Sequence, residues 1–268
     1  MGSGHVVDKG ALTPPTGLFI LFDRGMRPQR STVLRVIDEI PYTTVSHDPA
    51  SSPADPQTQE GAGVVSEGPW LELMVSGLTF DLLGLAPGPG TTMPDVAHKL
   101  ACTHDLENDA IEAIALVPGP HLTDGANSLP VVRALVELGC ALARNLEHAH
   151  TICWSPARTA MDPLAFCRSV DAWLSGGPFP ALGLAAFVVN DDGAMTTEGL
   201  NFLFGHELRF HPELSYDRLE ATKIGMRVIH EIVGRGPVSQ PWEFEIGGNS
   251  RLLLSPSNLA HLIEVTRI

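Results

Sequence analysis

The sequence is short of basic residues, and this shortage excludes two kinds of partner. Among 268 residues there are 17 Lys and Arg against 31 Asp and Glu, a formal net charge of −14. Nucleic-acid binding depends on clustered Lys and Arg that displace phosphate counterions, and an anionic membrane surface attracts the same side chains. We therefore expect no nucleic-acid partner and no membrane partner.

Cysteine is also scarce, and long apolar runs are missing. The four cysteines are Cys102, Cys140, Cys153 and Cys167, and no CxxC pair is among them. A chain of this size does not need disulfides to build a core. No hydrophobic stretch of the secretory type opens the chain, and no apolar run approaches the roughly 18 residues of a membrane helix. We expect reduced thiols in a cytoplasmic protein.

The acidic charge is concentrated towards the N-terminus. Residues 1–126 contain 6 basic and 16 acidic side chains, whereas residues 127–268 contain 11 and 15. Solubility alone explains such a bias. The alternative is an acidic N-terminal half that meets a basic protein partner.

Short apolar runs mixed with amphipathic segments predict an α+β fold of mixed and antiparallel sheets packed with helices, since regular βαβ alternation is absent. We divide the chain into a flexible tail (1–16), an N-terminal half (17–126) and a C-terminal half (127–268). The predicted elements are a strand at 17–22, a long loop at 47–66, a hairpin at 70–83 turning at Ser76-Gly77, a short helix at 94–104, a helix at 129–147, a central strand at 182–189 and a helix at 215–233 capped by Ser215 and followed by Gly234.

A weak internal sequence similarity raises the question of two related halves. Gly77-Leu78-Thr79-Phe80 with Gly84 resembles Gly199-Leu200-Asn201-Phe202 with Gly205. A duplication would explain this similarity, and so would chance.

Several motifs of common enzymes are missing. There is no Gly-x-Ser-x-Gly elbow and no GxGxxG after a strand. The Gly-rich segment 86–92 lacks the Lys that a phosphate-binding loop requires. These absences favour a protein that is not an enzyme.

Histidines supply the remaining candidates. His148 and His150 would share one face of a strand, where two imidazoles could bind a metal if a third ligand joined them; the alternative is a pair of solvent-facing histidines. His206 and His211 are five residues apart, so they do not share a helical face as a zinc-protease pair does. Glu198, His206 and Glu207 lie near the Gly205 turn and are the second candidate group.

The segment Thr196-Thr197-Glu198-Gly199-Leu200, followed by Phe204-Gly205-His206-Glu207-Leu208, resembles the bacterial domain of unknown function 4261 family. In that family a Thr-x-Gly-hydrophobic segment leads into Phe-Gly-x-x-Glu; here one residue rather than two separates Gly205 from Glu207. The resemblance covers about residues 128–256. It implies no catalytic residues, and it implies accessory or immunity proteins encoded near bacterial toxin and secretion genes.

Three functional hypotheses follow. The first is a non-enzymatic intracellular binding protein of the immunity or accessory type, without cofactor or metal. The second is a hydrolase or metal enzyme whose site is assembled from distant loops, a kind of site that leaves no compact motif. The third is a structural subunit that assembles through exposed strand edges.

Overall fold

The computed structural model describes residues 14–51, 69–106, 110–247, 250–257 and 261–268. Most of the predicted tail (1–16) and most of the predicted loop (47–66) lie outside these residues. The strands are β1 (Leu18–Asp23), β2 (Thr43–His47), β3 (Leu71–Val75), β4 (Leu78–Leu83), β5 (His98–Leu100), β6 (Ile111–Pro118), β7 (Thr151–Trp154), β8 (Thr159–Met161), β9 (Ala186–Val189), β10 (Met195–Glu198), β11 (Glu207–Phe210), β12 (Trp242–Gly247), β13 (Ser250–Pro256) and β14 (Leu262–Arg267). The helices are α1 (Arg30–Glu39), α2 (Leu129–Asn145), α3 (Pro163–Leu174), α4 (Ala181–Leu184), α5 (Leu200–Phe204), α6 (Pro212–Ser215) and α7 (Arg218–Arg235), with 3-10 turns at Pro120–Gly125 and Ser155–Ala157.

Two mixed sheets form the framework. The first has the strand order β2-β3-β4-β6-β1-β7-β8-β5, antiparallel except for the β5–β8 pair. The second has the order β12-β13-β14-β11-β10-β9, antiparallel except for the β11–β14 pair. The predicted α+β class is confirmed, and the presence of two sheets fits the prediction of two halves.

Each face of the first sheet is covered differently. Alternate side chains of β1, Leu18, Ile20 and Phe22, join a hydrophobic cluster with α1, α2 and α3, and this cluster continues into the second sheet as far as Val265. The intervening Phe19 and Leu21 point to the opposite face, which we call the outer face. The segment that follows β4 covers them there. Alternation of period two therefore places β1 between two apolar layers. The first sheet also includes β7 and β8, which follow the predicted division at 126/127 in the sequence.

The two halves are alike in topology rather than in the similar segments at Gly77 and Gly199. Gly77 belongs to the turn before β4, whereas Gly199 precedes helix α5, so the two similar segments have different structures. By contrast, β1-α1-β2-β3-β4 and β11-α7-β12-β13-β14 are both a strand, a long helix and a three-stranded meander. In the first sheet β6 is inserted between β4 and β1, and in the second β14 contacts β11 directly.

Three predicted elements were wrong in type or extent. Residues 94–104 form no helix; instead β5 pairs with β8, and Val96 packs against the outer face of the first sheet. The run 182–189 is divided into α4, in which Gly183 packs closely on Phe166, and β9, which is an edge strand rather than a central one.

The last long helix, α7, also begins and ends elsewhere than predicted. Asp217 caps it by accepting from the N–H groups of Leu219 and Glu220, and Ser215 belongs to α6. The helix ends at Arg235 and Gly236 follows with φ of 96°, so Gly234 lies inside it.

Candidate functional site

Glu207, a candidate from the sequence, is the first residue of β11, and its side-chain carboxylate lies at the N-terminus of the short helix α5. Its carboxylate accepts from Thr197 Oγ1 at 2.7 Å and from the backbone N–H groups of Gly199 at 2.8 Å, Leu200 at 3.2 Å and Asn201 at 2.9 Å. Burial raises the pKa of Glu207, and these four donors oppose that rise. The first N–H groups of a helix have no intrahelical acceptor, so Glu207 supplies the missing partner from the following strand.

Gly199 makes this arrangement possible. Its φ is 99°, and a Cβ at this position would lie 2.5 Å from the Cβ of Ala157. Only glycine satisfies both the left-handed backbone and the close approach of the two chain segments. The Thr-Thr-Glu-Gly-Leu segment is thus explained as a helix cap and a packing contact between the two sheets.

His206 is buried beside the same turn. Its Nε2 accepts from the Val238 N–H at 3.2 Å, so the proton is on Nδ1, which has no hydrogen-bond partner among the described residues. Burial lowers the pKa of His206 and so favours the neutral ring. It anchors the segment after α7 through its contact with Val238.

Glu198 connects the two sheets. Its Oε2 lies 2.7 Å from Nε2 of His98 on β5, and its Oε1 accepts from Arg158 Nη1 at 3.2 Å. Arg158 also lies 2.8 Å from a carboxylate oxygen of Asp95. A shallow depression of about 200 Å³, lined by Asp95 and Lys99 among others, is adjacent. The group is an ion-paired contact between sheets, and its partners occupy both oxygens of Glu198.

The structure does not bring His148 and His150 together on one strand. His148 is exposed in a turn with φ of 65°, and His150 precedes β7. His150 instead stacks on His104, with ring centroids 4.0 Å apart, and its Nδ1 contacts Thr151 Oγ1 at 2.9 Å. Burial, followed by the nearby His104, lowers the pKa of His150.

The sequence reasoning missed the pair Glu72 and Asp81 on the outer face of the first sheet. These residues are directly opposite each other on β3 and β4, and His47 on β2 is opposite Glu72. A signal for the carboxylate pair was available. A two-residue turn at Ser76-Gly77 sets Val75 against Leu78, and counting outward from that pair sets Glu72 against Asp81.

The environment of Asp81 is unusual for a carboxylate. Burial, followed by the like charge of Glu72, raises its pKa to about 6, although His47 and His121 oppose this. Its Oδ1 is enclosed and has no hydrogen-bond donor among the described residues. Glu72, in contrast, accepts from Ser46 Oγ at 2.6 Å. A half-buried acid with a raised pKa and an unsatisfied oxygen is a candidate functional group.

The surroundings of this pair define what we call the acidic site: His47, Glu72, Asp81 and His121. The ring of Trp70 lies 5.5 Å from that of His47. Both histidines are exposed, so the site opens to solvent. It can accept a cationic hydrogen-bond donor, or it can donate the proton that Asp81 retains up to about pH 6.

Metal binding and membrane insertion were both tested on the structure. Within the described ranges, no group of three or more His, Cys, Asp or Glu side chains is placed to hold a metal ion. None of the helices in the same ranges is both long and apolar enough to span a membrane.

Comparisons with protein-family models, with curated proteins and with solved structures found no match to this chain. The resemblance to the family of unknown function therefore stays a prediction.

Proposed function

We propose that this chain is a non-enzymatic binding protein whose acidic N-terminal half, through the acidic site, binds a basic segment of a partner protein. The observation that carries the proposal is the pair of carboxylates of Glu72 and Asp81, which lie directly opposite each other on β3 and β4 and repel each other. A guanidinium group presents several N–H donors in one plane and suits two carboxylates. Such a group would offset the repulsion between Glu72 and Asp81 and lower the pKa of Asp81.

The hydrogen bonds and ion pairs of the other candidate residues favour a binding function over catalysis. Glu207 accepts four hydrogen bonds at the start of α5, and Glu198 is paired with His98 and Arg158. Groups held in this way are not free to transfer protons to a substrate. A role as an accessory or immunity protein beside a bacterial toxin or secretion system is the more specific form of the proposal, and the resemblance described above supports it.

Binding of an arginine-rich peptide to the full chain, measured by calorimetry at low and high salt, tests the proposal. We expect the double variant E72Q/D81N to weaken binding roughly tenfold or more, as loss of a central charged pair does at interfaces. D38N is the matched control, because Asp38 is an exposed acid on α1, on the opposite side of the first sheet. Equal affinity of the wild type and E72Q/D81N would disprove the role of the acidic site.

A hydrolase is the second candidate, and the raised pKa of Asp81 is the observation that favours it. A carboxyl group that keeps its proton near pH 6 can act as a general acid beside an ionised neighbour. Screening for hydrolysis of ester, glycosidic and phosphoester substrates between pH 5 and 8 distinguishes the two candidates. Turnover by the wild type that is abolished in D81N, without peptide binding, would establish the hydrolase instead.

A further inference from the structure

Two buried thiols meet between α2 and α3, away from the acidic site. Cys140 on α2 is 2% exposed and Cys167 on α3 is 0% exposed. The Cys167 thiol donates to the carbonyl oxygen of Cys140 at 3.9 Å, so the two cysteines adjoin where α2 packs on α3. Both are free thiols. Two cysteines on packed helices, with the thiol of one against the backbone of the other, are close enough that a small rearrangement could bring their sulfurs into the geometry of a disulfide.

The two sulfurs differ in acidity. The hydrogen bond from Cys140 lowers the pKa of the Cys167 thiol, and the positive charge of Arg144 lowers it further. The same hydrogen bond, together with burial, raises the pKa of Cys140. Because the thiolate is the form that reacts with peroxides, we expect Cys167 to react first and Cys140 to resolve the product.

An exposed ion pair borders the thiols. Arg144 follows Cys140 by one helical turn on α2, and Asp171 follows Cys167 by one turn on α3. Arg144 and Asp171 are bonded to each other, with side chains 45% and 51% exposed. Exposed pairs of this kind contribute little to stability, so separating this pair costs little free energy, and we infer that a small oxidant reaches the buried thiols at this border.

We propose that Cys140 and Cys167 form a reversible dithiol–disulfide couple that joins α2 to α3, with hydrogen peroxide as the oxidant. The thiolate of Cys167 attacks one peroxide oxygen, the O–O bond breaks, and the departing hydroxide takes a proton to become water. The sulfur of Cys140 then attacks the resulting sulfenic acid, the S–S bond forms, and the hydroxyl group leaves as water with the Cys140 proton. Two thiols and one peroxide thus give one disulfide and two waters, and a small thiol reverses the reaction.

The variant C102S/C153S tests the couple, because Cys140 and Cys167 are then the only cysteines left. After treatment of the folded protein with hydrogen peroxide, we expect both thiols to disappear together and the mass to fall by two hydrogen atoms. Dithiothreitol should restore both thiols. The disulfide closes a loop across α2 and α3, so the oxidised protein should unfold at a higher temperature than the reduced protein.

Single variants in the same background identify the roles of the two sulfurs. C140A should stop at a sulfenic acid on Cys167 that dimedone traps, and C167A should stay unmodified. Peptide mapping of the oxidised wild type shows the linkage directly, even if a substitution impairs folding. The proposal is overturned if both thiols survive peroxide that oxidises Cys102 in the wild type, or if oxygen is added to either sulfur without a cross-link.

Discussion

Asp81 shows how one side chain makes the stability of this protein depend on pH. Its pKa in the folded chain is about 6, against an ordinary value of 3.8. The folded state therefore holds a proton that the unfolded state loses between these two values. The stability associated with this proton is fully present below pH 3.8 and is lost as the pH rises through 6.

Replacing Asp81 with Asn should therefore stabilise the protein at neutral pH. The shift corresponds to about 1 kcal/mol of unfolding free energy once solvent screening of a half-buried group is allowed for. Thermal unfolding followed by circular dichroism from pH 4 to 8 measures it. We expect D81N to unfold at a higher temperature than the wild type at pH 7.5 and at the same temperature near pH 4. A D81N protein that is less stable at pH 7.5, with D38N unchanged, would contradict this explanation.

At the scale of elements, α5 depends on a residue outside it. A helix of five residues is too short to be stable alone, and its first N–H groups are satisfied by Glu207 on β11. The turn from β10 into α5 and the strand β11 therefore support each other. The carboxylate that the sequence suggested for catalysis is used to hold this unit in shape.

We expect E207A to lower the unfolding free energy by about 1–3 kcal/mol, because the part-buried N–H groups of Gly199 and Leu200 and the hydroxyl of Thr197 would lose their acceptor. Chemical denaturation measures the change, and hydrogen exchange should speed up at the amides of Gly199, Leu200 and Asn201. E245A removes an exposed glutamate from β12 and is the control. The role assigned to Glu207 is wrong if E207A costs no more stability than E245A.

At the scale of the whole molecule, one core links the predicted halves. The hydrophobic cluster extends from Leu18 to Val265. β1 pairs with β7 from beyond residue 126, and α2 packs on β1 where Gly139 closely approaches Leu18. The division at 126/127 therefore separates strands that share a sheet.

We expect a fragment of residues 14–126 to lack cooperative unfolding. Without β7 and α2, β1 would lose a neighbouring strand along one edge and the helix that covers its inner face. Circular dichroism melts of the fragment and of the full chain measure this difference. A fragment with a sharp transition near that of the full chain would show that the N-terminal half is an independent domain.

The sequence by itself determined what depends on neighbours along the chain. The Ser76-Gly77 turn and its alternating flanks fix the β3–β4 hairpin, and the apolar stripe of residues 129–147 fixes α2, because turn geometry and helical period are local properties. The glutamates and histidines near Gly205 were recognised as a group for the same reason. Their roles were not, since composition does not show which donors a carboxylate meets.

Tertiary structure alone decided the contacts between distant segments. Glu198 meets His98, a residue 100 positions earlier, and the thiols of Cys140 and Cys167 meet only because α2 packs on α3. The raised pKa of Asp81 needs both the burial that the fold provides and the neighbouring Glu72. These effects arise from packing in three dimensions, where separation along the chain sets no limit on which charges and sulfurs become neighbours.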